Sequence, residues 1–282
     1  MARPNARDPR KHPVAALGRA LARLRRAAGF RTADALARKM GFARETIAKV
    51  ESGERTPSDD VYAAWLQACH CSAELRANLD DQLELARNYE LVVPRFAEPW
   101  LAVEAAADFI RVWALDVMPG LLQTYEYAFG MFVTVGLDED TAAKKAAARV
   151  KRQSILEGAD ATRGTFIIFE PILRRRVGTD EITAKELRHL LEMMDRPNVV
   201  IQVVKDPGEY FPGLRAQFEI ASGREIPDTL NMITFEDQTS DDAALVDSAS
   251  AFFERIRGYA RPVDESRAII QEALKRWQSQ QQ

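Results

Sequence analysis

The feature that most constrains this fold is a series of short helical segments near the N-terminus, separated by glycines. In the first segment apolar residues recur at helical spacing: Val14, Leu17, Leu21 and Leu24. Gly29 ends that helix, and a second helix begins after the N-cap residue Thr32 and ends at Gly41. A third helix follows over residues 43–52. Two helices joined by a short turn that contains glycine predict a helix-turn-helix.

Four positions in this segment match the packing that a helix-turn-helix requires. Ala37 is small at the point where the two helices must approach closely. Gly41 lies where the turn needs a positive φ, which glycine adopts without steric cost. Ile47 and Val50 form the apolar pair that holds the third helix against the other two. The other side chains of the third helix are therefore expected to face outward.

These outward-facing side chains include the predicted base readers. They are Arg44, Glu45, Thr46 and Lys49. Arg and Lys favour guanine O6 and N7 in the major groove, and Glu accepts a hydrogen bond from cytosine N4. The alternative for each residue is a phosphate contact or a solvated side chain. Arginines elsewhere in the segment are the predicted phosphate contacts: Arg19, Arg23, Arg31, Arg38 and Arg55.

The distribution of charge supports a nucleic-acid-binding segment at this end of the chain. Residues 1–57 contain 14 Lys and Arg against 5 Asp and Glu, whereas the other residues contain 25 basic and 37 acidic ones. A basic head on an acidic body is typical of DNA-binding proteins. Residues 1–13 predict a flexible basic arm that tracks phosphates or enters a minor groove, or else a solvated tail.

The sequence predicts two domains of different class. Two more helices, over residues 59–70 and from the cap Ser72 onward, complete an all-α domain of five helices over residues 14–87. Beyond it, apolar runs rich in β-branched and aromatic residues predict strands at 166–169, 199–204, 216–220 and 230–235, with a less regular one at 107–116. Helical patterns occur at 124–135, 139–157, 183–194, 243–259 and 264–277. Residues 88–278 therefore predict an α+β domain.

Residues 17–57 resemble the phage-repressor (XRE) family of helix-turn-helix regulators, on the motifs at 36–41 and 44–53. The resemblance implies a lambda-repressor-like fold that binds double-stranded DNA. It also implies an ion pair between a basic residue of the first helix and the glutamate that ends the third, here Arg25 and Glu51.

One position departs from the family pattern. Members often have a glutamine at the start of the second helix that contacts phosphate, and this chain has Ala33 there. Arg31 or Thr32 is then expected to make that phosphate contact.

A segment of the second domain resembles the DUF5753 domain. The segment is Val117 to Thr124, followed by Tyr127-Ala128. Matching positions elsewhere are Glu104, Arg152-Gln153, Phe169-Glu170 through Val177-Gly178, and Pro197-Asn198-Val199. This domain accompanies XRE-type heads in actinobacterial regulators, among them the WhiJ-like and the antitoxin-like Scr1-family proteins. The resemblance implies a transcriptional regulator that is often paired with a small DUF397-type protein.

Pro119-Gly120 has two interpretations. The first is a fixed turn that leads into the helix at 124–135, with Thr124 as its cap. The second is the rim of a pocket or partner groove, formed with aromatic residues of two segments. The residues of that surface are Pro119, Gly120, Tyr125, Tyr127, Tyr210 and Phe211.

Several classes of chemistry are not expected. The sequence has no Walker loop, GxGxxG, HExxH or GxSxG motif, so we predict no enzyme and no cofactor. Cys69-His70-Cys71 does not supply the spaced donor pairs of a zinc site, and His12 and His189 are the other histidines, so no metal is predicted. Two cysteines without a disulfide framework predict a cytoplasmic protein. No apolar run approaches the ~18–20 residues of a membrane helix.

The leading hypothesis is a sequence-specific transcriptional regulator whose helix at 43–52 reads the major groove. A single helix-turn-helix makes few base contacts, which favours a homodimer on a two-fold site; the second domain would provide dimerisation and control. One alternative is an antitoxin-like module that binds a small DUF397-type partner, with DNA binding for autoregulation. A further alternative is a regulator that senses an unknown small-molecule ligand.

Overall fold

The computed structural model of the chain describes residues 12–92, 98–234 and 237–279. The chain divides into two compact units, Met1–Val93 and Pro94–Gln282. Most of the predicted basic arm, residues 1–11, lies outside the described residues. The predicted order of classes, an all-α domain followed by an α+β domain, is confirmed.

The first unit consists of helices. They are α1 (Pro13–Ala27), α2 (Ala33–Met40), α3 (Arg44–Glu51), α4 (Asp59–Ala68) and α5 (Ala73–Val92). His12 and Pro13, predicted as part of the arm, begin α1 instead: the His12 ring accepts the Ala15 N–H at 3.3 Å, and proline suits the first helical position. Because α5 continues to Val92, the predicted domain end at residue 87 falls within a helix.

The apolar faces of these helices meet in one core. Its fully buried side chains include Leu17, Leu21, Leu36, Ile47, Trp65 and Leu79. The end of α3 packs directly on the α1 backbone, because a Cβ on Gly18 would lie 2.3 Å from the Val50 carbonyl oxygen. A glycine at this position therefore lets α3 end against α1.

A six-stranded sheet forms the centre of the second unit. Its strands are β1 (Phe109–Ala114), β2 (Arg163–Phe169), β3 (Val199–Val204), β4 (Gln217–Ser222), β5 (Thr229–Ile233) and β6 (Gln238–Ser240). They lie in the order β3-β2-β1-β4-β5-β6. β1, β2 and β3 pair in parallel, and the pairs from β1 through β4 and β5 to β6 are antiparallel. Helices connect the parallel strands, because a parallel pair needs a long crossover.

The second unit also contains helices. In the described part they are α6 (Glu98–Glu104), α7 (Tyr125–Thr134), α8 (Glu139–Arg152), α9 (Asp180–Met193), α10 (Ala243–Arg257) and α11 (Val263–Ser279). α6 and β6 were not predicted, because α6 is short and holds Pro99, and β6 is a polar tripeptide. The predicted helix 139–157 ends earlier, at Arg152, and a 3-10 turn follows. Of the predicted strand 230–235, Phe235 lies outside the described residues.

Helices cover one face and one edge of the sheet. One face packs on α10, where the ring of Phe218 lies 6.0 Å from Phe252 and 6.5 Å from Phe253. α11 covers part of the edge strand β3, where the Ser266 hydroxyl accepts the Val203 N–H at 2.9 Å. A helix that covers an edge strand hinders its pairing with another chain.

Candidate nucleic-acid interface

The turn between α2 and α3 has the geometry that the sequence predicts. The Thr32 hydroxyl oxygen accepts the Ala35 N–H at 3.1 Å and caps α2. Gly41 has φ +76°, in the left-handed region, and the Phe42 N–H donates to the Ala37 carbonyl at 3.0 Å. Ala37 is 1% exposed, consistent with close contact at this point. A small residue, Ala37, and a glycine, Gly41, therefore allow the tight turn between α2 and α3.

α3 has an inward and an outward side, as expected. Ile47 and Val50 are 0% and 1% exposed and belong to the core. Arg44 and Glu45 are exposed at the N-terminal end, and Lys49 is half-buried. Thr46 is also half-buried, which leaves it less available to a groove than the other predicted readers.

Two of the predicted base readers bind each other. Lys49 Nζ lies 2.6 Å from Glu45 Oε1, one turn apart on α3. The hydrogen bond from Lys49 lowers the pKa of the Glu45 carboxyl. The Glu45 side chain is 75% exposed and the Lys49 side chain is 44% exposed, and pairs this open to solvent contribute little to stability. Lys49 can therefore leave the pair for a base or a phosphate at small cost, and Glu45 can leave it for a base.

A buried ion pair fixes the C-terminal end of α3. Arg25 Nε and Nη2 donate to the two carboxylate oxygens of Glu51 at 2.5 and 3.0 Å. Arg25 Nη1 also donates to the Phe30 carbonyl at 2.6 Å. The hydrogen bond to Glu51 raises the pKa of Arg25, which is 5% exposed. The pair implied by the resemblance is present, and it joins α1, the loop after α1, and α3.

The predicted phosphate contacts lie on the surface. Exposed members of this set are Arg19, Arg23, Arg31, Thr32, Arg38 and Arg55. Arg38 forms an exposed pair with Asp34 at 3.0 Å. The Thr32 oxygen accepts the capping hydrogen bond, so its hydroxyl proton is the part that remains for a phosphate. Contact of these residues with DNA stays a prediction.

The aromatic surface predicted in the second unit requires correction. Tyr127 and Phe211 are 2% and 3% exposed and lie in the core. Phe211 packs against Trp113, with ring centroids 6.0 Å apart, because the chain returns here between β3 and β4. Tyr125 and Tyr210 are exposed, at 40% and 72%. The six residues therefore do not form one surface.

Pro119 and Gly120 belong to a turn, as the first interpretation states. Pro119 is buried, and residues Gly120–Leu122 form a 3-10 turn. Thr124 then caps α7, its hydroxyl accepting the Tyr127 N–H at 3.3 Å. The Gly120 α-carbon faces two arginine side chains: a Cβ there would lie 3.7 Å from Arg149 Nε.

Those arginines belong to a group of charged and amide side chains that sequence reasoning missed. We name it the polar cluster, and its members are Glu104, Gln123, Arg149, Arg152 and Glu219. Arg152 binds Glu104 with two hydrogen bonds, at 2.7 and 2.6 Å. Arg149 Nη1 donates to Gln123 Oε1 at 3.0 Å. Glu219 Oε2 accepts from the Asn231 amide at 3.2 Å.

The sequence carries weak signals for this cluster. Glu219 is a carboxylate within the apolar strand β4, and its immediate neighbours are buried. Arg149 follows Ala142 and Ala146 at helical spacing, on the side of α8 whose alanines are buried. A charged residue at a position whose periodicity demands burial is uncommon, because an unpaired buried charge is costly. Only the folded chain shows that these residues meet.

Comparisons with known protein families give a separate match in each unit. Within the described residues, no helix is long and apolar enough to cross a membrane. A family model for a helix-turn-helix domain matches residues 16–79, which supports a DNA-binding regulator. No curated protein and no solved structure matches the chain. A second family model, described as a domain of unknown function (DUF5753), matches residues 98–272. Since this match spans more than half of the chain, the protein belongs to the DUF5753 family.

Proposed function

We propose that this protein is a sequence-specific transcriptional regulator of the XRE type, which binds DNA as a homodimer with α3 in the major groove. The observation that carries the proposal is the packing of α3. Its inward side chains Ile47 and Val50 are buried, whereas Arg44 and Glu45 are exposed at the end that base-reading helices present. A two-fold site with half-sites about one helical turn apart would then supply specificity.

The surface charge of the first unit supports the same proposal. Arg19 and Arg23 are exposed one turn apart on α1, and Arg31 and Arg55 are exposed in loops on either side of the helix-turn-helix. Arginines of this kind bind phosphate and position a protein on the duplex without reading sequence. Affinity is then expected to fall steeply as salt rises.

The test is a fluorescence-anisotropy titration of the full chain on DNA from the region upstream of its own gene, against scrambled DNA, at two salt concentrations. Arg44→Ala is expected to weaken specific binding by about 1–3 kcal/mol and to relax the preference at one base position. The matched control is Arg188→Ala, an exposed arginine of α9 in the second unit. Equal weakening on both DNAs would show that Arg44 contacts phosphate. Unchanged binding would show that α3 does not lie in the major groove.

The homodimer has its own test. Analytical ultracentrifugation of the full chain, with and without a two-fold DNA site, is expected to show two chains per duplex. In this proposal the second unit provides the dimer contact and the control of binding. A protein that occupies each half-site independently as a monomer would contradict it.

A second candidate function is an antitoxin-like module that binds a small DUF397-type protein and uses DNA binding for autoregulation. An apolar stripe on α7 favours it. Tyr125 and Val133 are 40% and 39% exposed, and the Tyr125 ring stacks on Phe129 at 6.2 Å. Exposed aromatic groups are typical of protein interfaces.

The test of this candidate is co-purification of the full chain with a DUF397-type protein encoded beside it. Tyr125→Ser is expected to release the partner. Tyr210→Ser is the matched control, because Tyr210 is an exposed tyrosine outside α7. A folded wild-type chain that retains no partner would contradict the candidate.

A further inference from the structure

The polar cluster lies on one face of the sheet in the second unit. Glu219 on β4 pairs in register with Val112 on β1 and with Asn231 on β5, so these three side chains share a face. Phe218, the preceding residue, points to the opposite face, where α10 packs. The C-terminal part of α8 carries Arg149 and Arg152, which donate to Gln123 and Glu104, and the charge of Glu219 acts on both arginines. This face therefore carries Glu219 and Asn231 beside the buried Val112, at a place where a sheet normally packs apolar groups alone.

One arginine of the cluster has a matched partner. Arg152 and Glu104 form a bidentate ion pair with two hydrogen bonds, and the Glu104 side chain is only 3% exposed. The Arg152 side chain is 28% exposed, so solvent reaches the cluster from this direction. The charge on Arg152 is satisfied within the fold, and this pair needs no ligand.

Arg149 is held differently. Its guanidinium donates to the neutral amide oxygen of Gln123 and lies over the Phe132 ring, with Cζ 4.5 Å from the centroid. In the described part of the chain no carboxylate lies within ion-pair distance of it, and Glu219, Glu104 and Asp237 act on its charge from farther away. Burial lowers the pKa of Arg149 to about 10, so it remains a cation at neutral pH. The guanidinium is thus fixed in place while part of its hydrogen-bonding capacity stays unused.

Glu219 is the complementary case. It is 8% exposed, and within the described part of the chain its hydrogen bond comes from Asn231, with no basic side chain in an ion pair with it. Asn231 is itself held by the Thr239 hydroxyl, which donates to its amide oxygen at 3.2 Å. Burial raises the pKa of Glu219 to about 7. A cation and a carboxyl group thus occupy one cluster without binding each other.

We propose that the polar cluster binds a small zwitterionic molecule, whose carboxylate is held by Arg149 and whose ammonium group is held by Glu219. A guanidinium presents parallel N–H groups that match a carboxylate, and such charge-assisted pairs are strong when desolvated. The ammonium group supplies the donors that Glu219 lacks. Gln123 and Asn231 are positioning residues, because each holds one of the two charged side chains by an amide hydrogen bond.

The test is isothermal titration calorimetry of the full chain with probes that separate a carboxylate and an ammonium by a growing aliphatic chain. The probes are free glycine, β-alanine, γ-aminobutyrate and 6-aminohexanoate. Butyrate and butylamine are the single-ended controls. One zwitterion is expected to bind more tightly than either single-ended probe by at least roughly tenfold, the factor that about 1.4 kcal/mol represents.

Two variants assign the ends of the ligand. Arg149→Met keeps a long side chain against Phe132 and is expected to abolish binding of the zwitterion and of butyrate. Glu219→Gln keeps the shape of the side chain and is expected to reduce the zwitterion to the affinity of butyrate. Arg188→Met is the control for loss of a surface cation, and circular dichroism verifies the fold of each variant.

Three results would overturn the proposal. The first is a folded wild-type chain that binds none of the probes. The second is wild-type affinity in either Arg149→Met or Glu219→Gln, which would show that the substituted residue does not hold its end of the ligand. The third is equal affinity for butyrate and for every zwitterion, which would exclude Glu219 from the site. Should Arg149→Met fail to fold, the single-ended probes and Glu219→Gln still decide between these results. DNA binding does not enter the measurement, so the test stands apart from the proposed function.

Discussion

The two units differ in how completely their buried charges are paired. In the first unit, Arg25 is buried and all its described hydrogen bonds end on matched acceptors, the Glu51 carboxylate and the Phe30 carbonyl. In the second unit, Arg149 and Glu219 lie in one cluster without an ion pair between them. A paired buried charge holds a particular geometry, whereas a buried charge without an ion-pair partner costs free energy, and such groups are concentrated at functional sites.

A third buried group extends this comparison. Glu186 of α9 is 0% exposed, and its Oε2 accepts the Thr124 N–H at 2.7 Å at the start of α7. Its Oε1 has no hydrogen-bond partner among the described residues. Burial raises the pKa of Glu186 to about 8. The first unit is thus built with its buried charge compensated, and the second unit keeps carboxyl groups that prefer their neutral form.

The largest effect is expected where the buried pair of the first unit is broken. Arg25→Met leaves the Glu51 carboxylate without its partner and is expected to destabilise the unit by about 3–5 kcal/mol. Hydrogen-exchange mass spectrometry of the full chain measures this in peptides of α1, α2 and α3. The double variant Arg25→Met/Glu51→Met leaves no unpaired charge and is expected to be less destabilised. A single variant as stable as the wild type would show that the pair does not hold α3.

A smaller effect, with a characteristic pH dependence, is expected in the second unit. The folded pKa of Glu186, about 8, lies above its ordinary value of 4.5, so its contribution to stability is complete at low pH and is lost as the pH rises toward 8. Glu186→Gln is expected to remove this loss, which is on the order of 3 kcal/mol at neutral pH. The raised pKa of Glu219 also makes stability fall as the pH rises, and this contribution remains in the variant.

Hydrogen exchange of the full chain is measured at increasing denaturant concentration between pH 5 and pH 8. The protection of the α7 and α9 peptides then reports the stability of the second unit at each pH. Glu181→Gln is the matched control, because Glu181 is an exposed glutamate of α9. A Glu186→Gln profile that falls with pH as steeply as the wild-type profile would show that the carboxyl is hydrated or paired in solution.

The smallest effect on stability is expected at the surface pair of α3. Glu45→Gln removes the partner of Lys49 and is expected to leave the unfolding of the first unit unchanged, because the Glu45 carboxyl is exposed. Loss of a negative charge near the phosphates and release of Lys49 are expected to strengthen binding to scrambled DNA more than to specific DNA. Anisotropy titrations of both DNAs measure the ratio. An unchanged ratio would show that neither side chain lies at the DNA.

Much of the first unit could be predicted from the sequence because its elements are local. Thr32, Gly41, Ile47 and Val50 specify a cap, a left-handed turn and two inward positions within twenty residues, and all four occur as expected. The strands β2 and β3 were also evident, because both are apolar runs bounded by turn residues. Helix and strand periodicity depend on neighbours a few positions away, and a single sequence records them directly.

The aromatic surface shows where local reasoning ends. Tyr125 and Tyr127 are two positions apart on α7, yet one is exposed and the other is in the core. Phe211 lies in a loop but packs on Trp113 of β1, from which the long chain segment that contains β2 and β3 separates it in sequence. Which side of a mostly apolar helix or loop is buried depends on what packs against it, and those partners are distant in the chain.

What the sequence determined by itself was the class of each domain, the helix-turn-helix, and the outward side of α3. The tertiary structure alone decided that β1 pairs with β2 and β4, that Arg152 of α8 binds Glu104 of α6, and that Glu219 of β4 lies beside Asn231 of β5. The physical reason is the range of the interactions. Caps, turns and periodicity are stabilised within a few residues, whereas strand order and buried polar clusters come from contacts between distant segments, whose stability depends on the whole packed core.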